Sequence, residues 1–287
     1  MAVMVDAFRQ ELGKLGWIEG KNIAIEYRFA ESKADRLPEL AADLVRLKVD
    51  LIVTRATTVT LAAKRATTTI PIVIAAAADP VNAGLVASLA RPGGNVTGLS
   101  SLAPDLNTKC LEILKDAVPK LDRVGLLRRP GNIIGQDVQL KDLRPAAQAL
   151  KVKLEEIETQ VDAQSLESAF QTAKQKQVNA VMALAIPTFF AERKRIVELA
   201  VKYRLPGIYF QKEFVDEGGL ISYGADFIDL YRRAAVYVDK ILKGAKPGDL
   251  PVQQATKFEF VSNLNAAKHI GLTIPPNVLA RADKVIE

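Results

Sequence analysis

Residues 50–79, DLIVTRATTVTLAAKRATTTIPIVIAAAAD, decide the fold, because they place a helical segment between two short apolar strands. Continuous apolar runs such as LIV and IPIVI are typical of strands that are buried on both faces of a sheet. The segment 59–67 between the runs is predicted to be an amphipathic helix. A strand, a helix and a strand in this order indicate a right-handed βαβ unit with parallel strands.

The same alternation continues in both directions along the chain. Strands are predicted at residues 22–27, 50–54, 71–75, 95–99, 123–127, 152–157, 180–184, 207–210 and 220–223. Helices are predicted at residues 3–15, 34–47, 59–67, 82–89, 105–118, 137–150, 163–176, 190–203 and 229–242. The pattern predicts an α/β fold with two blocks, each built on a doubly wound parallel sheet.

The chain opens with the helix at residues 3–15, and no strand comes before it. A doubly wound sheet places its first strand centrally. We therefore expect a missing first strand in the first block, a loss that strand swapping with a second chain would compensate. The opening residues show no basic cluster followed by an apolar stretch, so no signal peptide is visible; either the protein is cytoplasmic or the targeting segment is absent from this sequence.

The composition is that of a globular protein of about two domains at roughly 150 residues each, with 49% hydrophobic and 25% charged residues. The net charge is +6, from 39 Lys and Arg and 33 Asp and Glu. These basic residues are dispersed and no aromatic platform accompanies them, which argues against nucleic acid as a partner. The single Cys110 and single His269 exclude a disulfide and a Cys-rich metal site. We expect Cys110 in the core and His269 at a helix C-terminus, and we predict no metal and no cofactor.

Ligands of open α/β sheets bind at the carboxyl ends of the strands, so the residues that follow each strand are the site candidates. The predicted ligand-binding residues are Thr54, Thr57, Thr58, Ala78, Asp79, Arg128, Asn132, Pro187, Thr188, Tyr209, Gln211, Tyr223 and Asp226. The set lacks a paired nucleophile and base, and the sequence has no GxSxG, GxxxxGK[ST], HExxH or CxxC motif. It favours recognition of a small polar molecule over bond chemistry.

Several candidates also have a purely structural interpretation. Thr57 and Thr58 could bind a carboxylate at a helix N-terminus or cap that helix. Asp79 could accept an ammonium group or cap the segment that follows it. Asp226 could be an acid of the site or cap the next helix.

The second block offers the same choice of interpretations. Arg128 and Arg129 could clamp an anionic group bidentately. They could instead form a solvated loop pair, which is the slightly favoured interpretation for Arg129. Thr188 could cap the helix that begins beside it. Tyr209 and Tyr223 could stack on a ligand, although Tyr209 lies inside a strand and could equally belong to the core.

Three long segments resemble a known family. They are residues 7–53 (AFRQELGKLGWIEGKNIAIEYRFA…), residues 67–100 (TTTIPIVIAAAADPVNAGLVASLARPGGNVTGLS) and residues 211–276 (QKEFVDEGGLISYGADFIDLYRR…). The chain resembles the solute-binding proteins of bacterial ABC importers, a family with tryptophan-binding members. The resemblance covers essentially the whole chain.

The resemblance implies a type I periplasmic-binding-protein fold, in which two α/β lobes are joined by three crossovers and the ligand lies in the cleft. The crossovers would fall near Gly98, near Gly219 and within residues 243–251. Lobe 1 would comprise residues 1–98 and 220–247, and lobe 2 residues 99–219 and 248–287. The segment ISYGADF would then lie in lobe 1, and a last strand at residues 254–260 in lobe 2.

The loop at residues 128–132 departs from the family pattern. Relatives carry a sequence resembling Trp-Asn-Pro-x-Asn there, whereas this chain reads RRPGN. Two cations replace an aromatic residue and an amide. The departure indicates a ligand with an extra anionic group, such as a carboxylate.

The resemblance implies a non-enzymatic receptor that binds an amino acid or another aromatic or carboxylate metabolite in the periplasm. Its lobes would close around the ligand by hinge bending, and the closed form would be presented to a membrane permease. A monomer is usual in the family. Two alternatives remain: a cytoplasmic effector-sensing domain of the same fold, and a small enzyme that uses Asp79 and Asp226.

Overall fold

The computed structural model describes residues 2–31 and 33–287. The chain divides into two compact units. Unit 1 takes the described residues up to Leu102 together with Asp226–Thr256, and unit 2 takes Ala103–Ala225 and Lys257–Glu287. The chain passes between the units three times, and each crossing lies a few residues beyond the predicted one. Within the described residues, no helix is both long and apolar enough to span a membrane.

Helices and short strands alternate along most of the chain. The helices are α1 (Ala2–Lys14), α2 (Leu37–Arg46), α3 (Thr57–Ala66), α4 (Ala103–Ala117), α5 (Ile134–Ala149), α6 (Ala163–Gln175), α7 (Pro187–Ala191), α8 (Arg193–Lys202), α9 (Glu213–Asp216), α10 (Phe227–Leu242), α11 (Leu264–Ile270) and α12 (Pro276–Leu279). The strands are β1 (Ile52–Thr54), β2 (Ile72–Ala77), β3 (Val96–Ser100), β4 (Arg123–Arg128), β5 (Lys153–Glu158), β6 (Ala180–Ala183), β7 (Gly207–Tyr209), β8 (Ile221–Ala225), β9 (Gln253–Gln254), β10 (Phe258–Asn263) and β11 (Lys284–Ile286).

Unit 1 is built on a four-stranded parallel sheet in the order β1-β2-β3-β9. Every residue of β2 is buried, as its continuous apolar sequence predicts. Helix α1 packs against α10, and the Trp17 indole Nε1 donates a 2.9 Å hydrogen bond to Asp239 on α10. The sequence of parallel strands and helices confirms the predicted α/β class for this unit.

Unit 2 contains a seven-stranded sheet in the order β11-β10-β8-β7-β6-β4-β5. All its neighbours are parallel except β8 and β10, which pair antiparallel with Tyr223 opposite Phe260. Strand β8 also pairs parallel with β7, Ile208 lying opposite Ile221. The prediction that ISYGADF lies in the first lobe is therefore wrong for β8, because β8 takes its backbone partners on both sides from unit 2.

Other sequence-based expectations are corrected by backbone geometry. The predicted strand at residues 22–27 is not formed; a single bridge joins Glu19 to Ile23, and no described strand pairs with the segment. The predicted helix at residues 82–89 is a series of turns, because Gly84 has a φ of 69°, outside the right-handed helical region. The predicted last strand at residues 254–260 is divided between β9 in unit 1 and β10 in unit 2.

The predicted roles of the two single residues are confirmed. Cys110 is 1% exposed on α4, and its Sγ donates a 3.2 Å hydrogen bond to the carbonyl of Tyr223. His269 lies in the last turn of α11, which ends at Gly271 in the left-handed conformation.

The burial of Cys110 predicts strong protection from thiol reagents. Burial raises the pKa of this thiol to about 12, so the thiolate fraction at pH 8 is roughly a thousandfold below that of a free cysteine. We expect almost no reaction with Ellman's reagent in the native protein. In about 6–8 M urea, which unfolds the chain, we expect complete reaction. Since the chain has one cysteine, the urea-unfolded sample is the control; rapid labelling of the native protein would contradict the packing of α4 on β8.

Candidate functional site

Hydroxyl groups hold together the carboxyl edge of the unit 1 sheet. Thr57, the first residue of α3, accepts at Oγ1 a 3.1 Å hydrogen bond from the backbone N–H of Ala78, which follows β2. The Oγ of Ser100, at the end of β3, donates to the Ala78 carbonyl at 3.3 Å. Thr57 and Ser100 are each 3% exposed. These bonds fix the loops after β1 and β2 and the end of β3 relative to one another.

Thr54 and Ala78 do not offer polar groups to a ligand as predicted. The Oγ1 atoms of Thr54 and Thr60 lie 2.8 Å apart, and Thr60 donates to the Ala56 carbonyl at 2.9 Å. Thr54 is 3% exposed. The hydroxyl of Thr54 and both backbone groups of Ala78 are already bonded within unit 1. These residues therefore stabilise the carboxyl edge of the sheet.

Thr58 is placed differently from Thr57. Its side chain is half-buried in the first turn of α3. The N-cap of this helix is Ala56, with no side-chain capping hydrogen bond, so the capping interpretation is wrong for both threonines. The first N–H groups of a helix have no partner inside the helix. Together with the Thr58 hydroxyl, these groups can bind an anion such as a carboxylate.

The two candidate acids of unit 1 both act as caps. Asp79 Oδ1 accepts hydrogen bonds from the backbone N–H groups of Val81 (3.1 Å) and Asn82 (3.0 Å), and Oδ2 accepts one from the Asn82 side chain. Asp226 is the N-cap of α10 and accepts a 3.0 Å bond from the N–H of Asp229. The structural interpretation of both residues therefore accounts for their bonds.

In unit 2, Arg128 is committed to an ion pair on the sheet. Its Nη1 lies 2.9 Å from Glu156 on the neighbouring strand β5, and its Nη2 donates to the Gly131 carbonyl at 2.9 Å. Burial alone would raise the pKa of Glu156, but hydrogen bonds from Arg144 and Arg128 lower it below its usual value. The prediction that Arg128 clamps a ligand is corrected, because its guanidinium group already has a carboxylate partner.

The adjacent Arg129 has both backbone groups bonded, whereas its guanidinium group has no partner among the described residues. Its N–H donates to Gln136 Oε1 at 2.7 Å, and its carbonyl accepts from Gln136 Nε2 at 3.1 Å. Gln136 lies on α5 and is 0% exposed. The half-buried Arg129 side chain has no ion pair among the described residues, and its Nε is buried without a partner.

The ends of the next two strands of the sheet, β6 and β7, are followed by further polar groups without partners in the described chain. Gln211, after β7, is 3% exposed, and its Oε1 has no hydrogen-bond partner within the described chain. The same holds for Thr188 Oγ1, after β6. Thr188 does not cap α7 as predicted, since the N-cap is Ile186 and Pro187 occupies the first turn. Asn132 is exposed in the loop after β4.

Tyr209 is a core residue and not a ligand residue. Its ring stacks on Phe214 at 4.6 Å between centroids and folds back along its own strand, so that a Cβ on Gly207 would lie 2.3 Å from its hydroxyl. Its pKa is raised by burial. Tyr223 is half-buried and meets Phe260 edge to face at 6.2 Å, which places it against the unit 2 core.

Sequence reasoning missed the buried amides that hold the unit 2 edge. Gln139, one turn after Gln136 on α5, accepts from the N–H of Ala185 at 2.9 Å and from Asn107 Nδ2 at 2.8 Å. Gln139 is 0% and Asn107 1% exposed. The available signal is two glutamines three residues apart beside the apolar Val138 and Leu140.

A groove of about 440 Å³ also lies in unit 1, between α1 and residues 17–25. Its walls include Asp6, Arg9, Trp17 and Ile23. None of the predicted site residues lines it, so it is separate from the carboxyl edge of the sheet.

Comparison with known proteins adds family evidence to this geometry. The sequence model of a family described as "ABC transporter substrate binding protein" matches residues 1–286. A tyrosine-binding protein of Clostridioides difficile (strain R20291) is 30% identical over 269 residues, which cover 92% of this chain and 75% of that protein.

Two solved structures show the same fold along nearly the whole chain. A conserved domain protein from Vibrio cholerae has a TM-score of 0.90 and 33% identity, covering 98% of this chain and 95% of that one. An ABC domain in complex with L-Trp, described as from Streptococcus pneumonia, has a TM-score of 0.89 and 26% identity, covering 99% of this chain and 96% of that one. The fold is thus the type I periplasmic-binding-protein fold that the family resemblance implies.

Proposed function

Because the chain belongs to the ABC transporter substrate binding protein family, we propose that it is the solute receptor of an ABC importer. Its ligand is an amino acid or a related aromatic or carboxylate metabolite, which it delivers to a membrane permease. The observation that carries the proposal is the polar carboxyl edge of each sheet, held by buried hydrogen bonds. The tyrosine-binding and L-Trp-bound relatives support the ligand class.

The carboxylate of the ligand is proposed to bind at the start of α3. Thr58 lies in the first turn of α3, where the helix itself leaves its backbone N–H groups unpaired. Thr57 fixes the start of α3 relative to the loop after β2, because its Oγ1 accepts a 3.1 Å hydrogen bond from the N–H of Ala78. In unit 2, Thr188 and Gln211 are proposed as the polar contacts that this unit's own sheet edge offers a ligand, because each has a buried oxygen without a partner in the described chain.

The ligand is proposed to leave chemically unchanged. Cys110 is buried, and the pKa of its thiol is raised to about 12, so it is not a nucleophile at neutral pH. Asp79 and Asp226 are bonded as caps, which leaves them poorly placed for acid–base work. We further propose that the protein acts as a monomer in the periplasm, on the outer side of the permease.

The Thr58→Val variant tests the proposed carboxylate site. Loss of a hydrogen bond to a charged group costs about 1.5–3 kcal/mol, so we expect affinity for L-tyrosine or L-tryptophan to fall roughly 10- to 100-fold. Isothermal titration and thermal shift measure this, after native mass spectrometry has identified any co-purified ligand.

Thr68→Val, on an exposed side chain, is the matched control and should bind as the wild type does. Equal affinity of the Thr58 and Thr68 variants would place the carboxylate elsewhere. If no amino acid or aromatic acid raises the melting temperature of the wild type, or if a ligand is recovered in altered form, the receptor proposal fails.

A further inference from the structure

We infer that unit 2 binds a second acidic group of the ligand through the guanidinium group of Arg129. The inference rests on the proposed receptor function and deepens it by naming the substrate class. That class is an amino acid or aromatic acid that carries an additional anionic group. Arg128, the more obvious candidate from its sequence position, is already neutralised by Glu156 at 2.9 Å.

Four arginines of unit 2 bury an Nε without a hydrogen bond, and among the described residues only Arg129 of these four has no acid partner. Arg128, Arg193 and Arg195 also bury an Nε without a hydrogen bond, but each has a terminal nitrogen within 3.2 Å of a carboxylate. For Arg129 no such carboxylate exists among the described residues. A half-buried cation with a buried, unpaired N–H is costly to retain unless a partner arrives from outside the chain.

The backbone of Arg129 is fixed by contacts within unit 2. Gln136 holds both the N–H and the carbonyl of Arg129, at 2.7 and 3.1 Å, from a fully buried site on α5. The loop therefore presents the guanidinium group at the carboxyl end of β4 with little freedom of its backbone. Such pre-organisation lowers the entropy that ligand binding must offset.

The neighbouring strand ends indicate which other polar group the ligand carries and how far it lies from the acidic group. In the sheet, β4 is followed by β6 and then β7, so their ends span two strand spacings, about 10 Å. Arg129 is a donor that requires an acceptor, whereas Gln211 Oε1 is an acceptor that requires a donor. A ligand that fits both has an acidic group and a hydrogen-bond donor within that span.

Matched pairs of probes test the inference on the full chain. The acidic member of each pair is L-glutamate or 4-carboxy-L-phenylalanine, and the neutral member is L-glutamine or L-tyrosine. By isothermal titration we expect at least one acidic probe to bind the wild type about 10- to 100-fold more tightly than its neutral partner, as a charge-assisted bidentate contact provides. Arg129→Met should abolish this ratio, and Arg129→Lys should restore part of it.

Arg128→Met is the control, expected to keep the ratio while lowering the melting temperature. Tighter binding of the neutral probes to the wild type would overturn the inference and leave the receptor proposal standing. An unchanged ratio in a folded Arg129→Met protein would also overturn it. If no probe of either kind binds, the receptor proposal fails and the inference with it. The ratio of acidic-probe to neutral-probe affinity in the wild type tests the inference even where a variant does not fold.

Discussion

Replacing Gly98 with alanine is expected to destabilise unit 1 by about 3–5 kcal/mol, from backbone strain and overpacking together. Gly98 lies within β3 with a φ of 129°, a conformation that residues with a Cβ rarely adopt. A Cβ there would lie 2.2 Å from the carbonyl oxygen and 2.5 Å from the nitrogen of Ile74 on β2. Because both contacts are with backbone, no side chain can move aside.

The expected result of Gly98→Ala is an earlier unfolding transition in urea, followed by circular dichroism. Loss of β3 removes the strand between β2 and β9, so ligand binding at the edge of unit 1 should be lost with it. Gly13→Ala in α1 is the matched control in the same unit, because no atom lies within 4 Å of its Cβ position. Alanine there should be neutral or stabilise the helix by up to about 1 kcal/mol. Equal midpoints for the two variants would contradict the close approach of β3 to β2.

The βαβ elements were predictable because each depends on its own sequence. The apolar run of β2 and the amphipathic pattern of α3 specify burial locally, and both elements form within a few residues of the predicted bounds. The segment 22–27 has an equally good strand pattern, but a strand also requires a neighbour for its backbone groups. Its failure to pair, and the placement of β8 in unit 2, depend on distant parts of the chain that local patterns do not encode.

The edges of the sheets were predicted, but not which side chains on them are available. Arg128 and Arg129 are adjacent in sequence, and their difference comes from Glu156 on β5, which lies diagonally across the strand pair from Arg128 and forms an ion pair with it. Tyr209 is equally at a strand end, yet its ring turns back over Gly207. Availability depends on partners that lie far away in the sequence, so it follows only from the packed structure.

Gln136→Met is expected to destabilise unit 2 by about 2–4 kcal/mol, because the two backbone groups of Arg129 lose their partner at about 1–3 kcal/mol each. Methionine has nearly the volume of glutamine, so the loss is one of hydrogen bonds rather than of packing. Gln136 is 0% exposed, and water cannot easily take the place of its amide. Thermal and urea unfolding measure this change.

The same variant separates the position of Arg129 from its charge. Gln136→Met keeps the guanidinium group and its charge but frees the loop that carries it, so affinity for the acidic probes should fall about tenfold through lost pre-organisation. Gln148→Met, on the exposed face of α5, is the matched control and should change neither stability nor affinity. If Gln136→Met lowers stability while the acidic probes bind with unchanged affinity, the buried amide serves the fold alone. If affinity falls by the same factor for acidic and neutral probes, Gln136 positions the whole carboxyl edge of unit 2 and not the Arg129 contact alone.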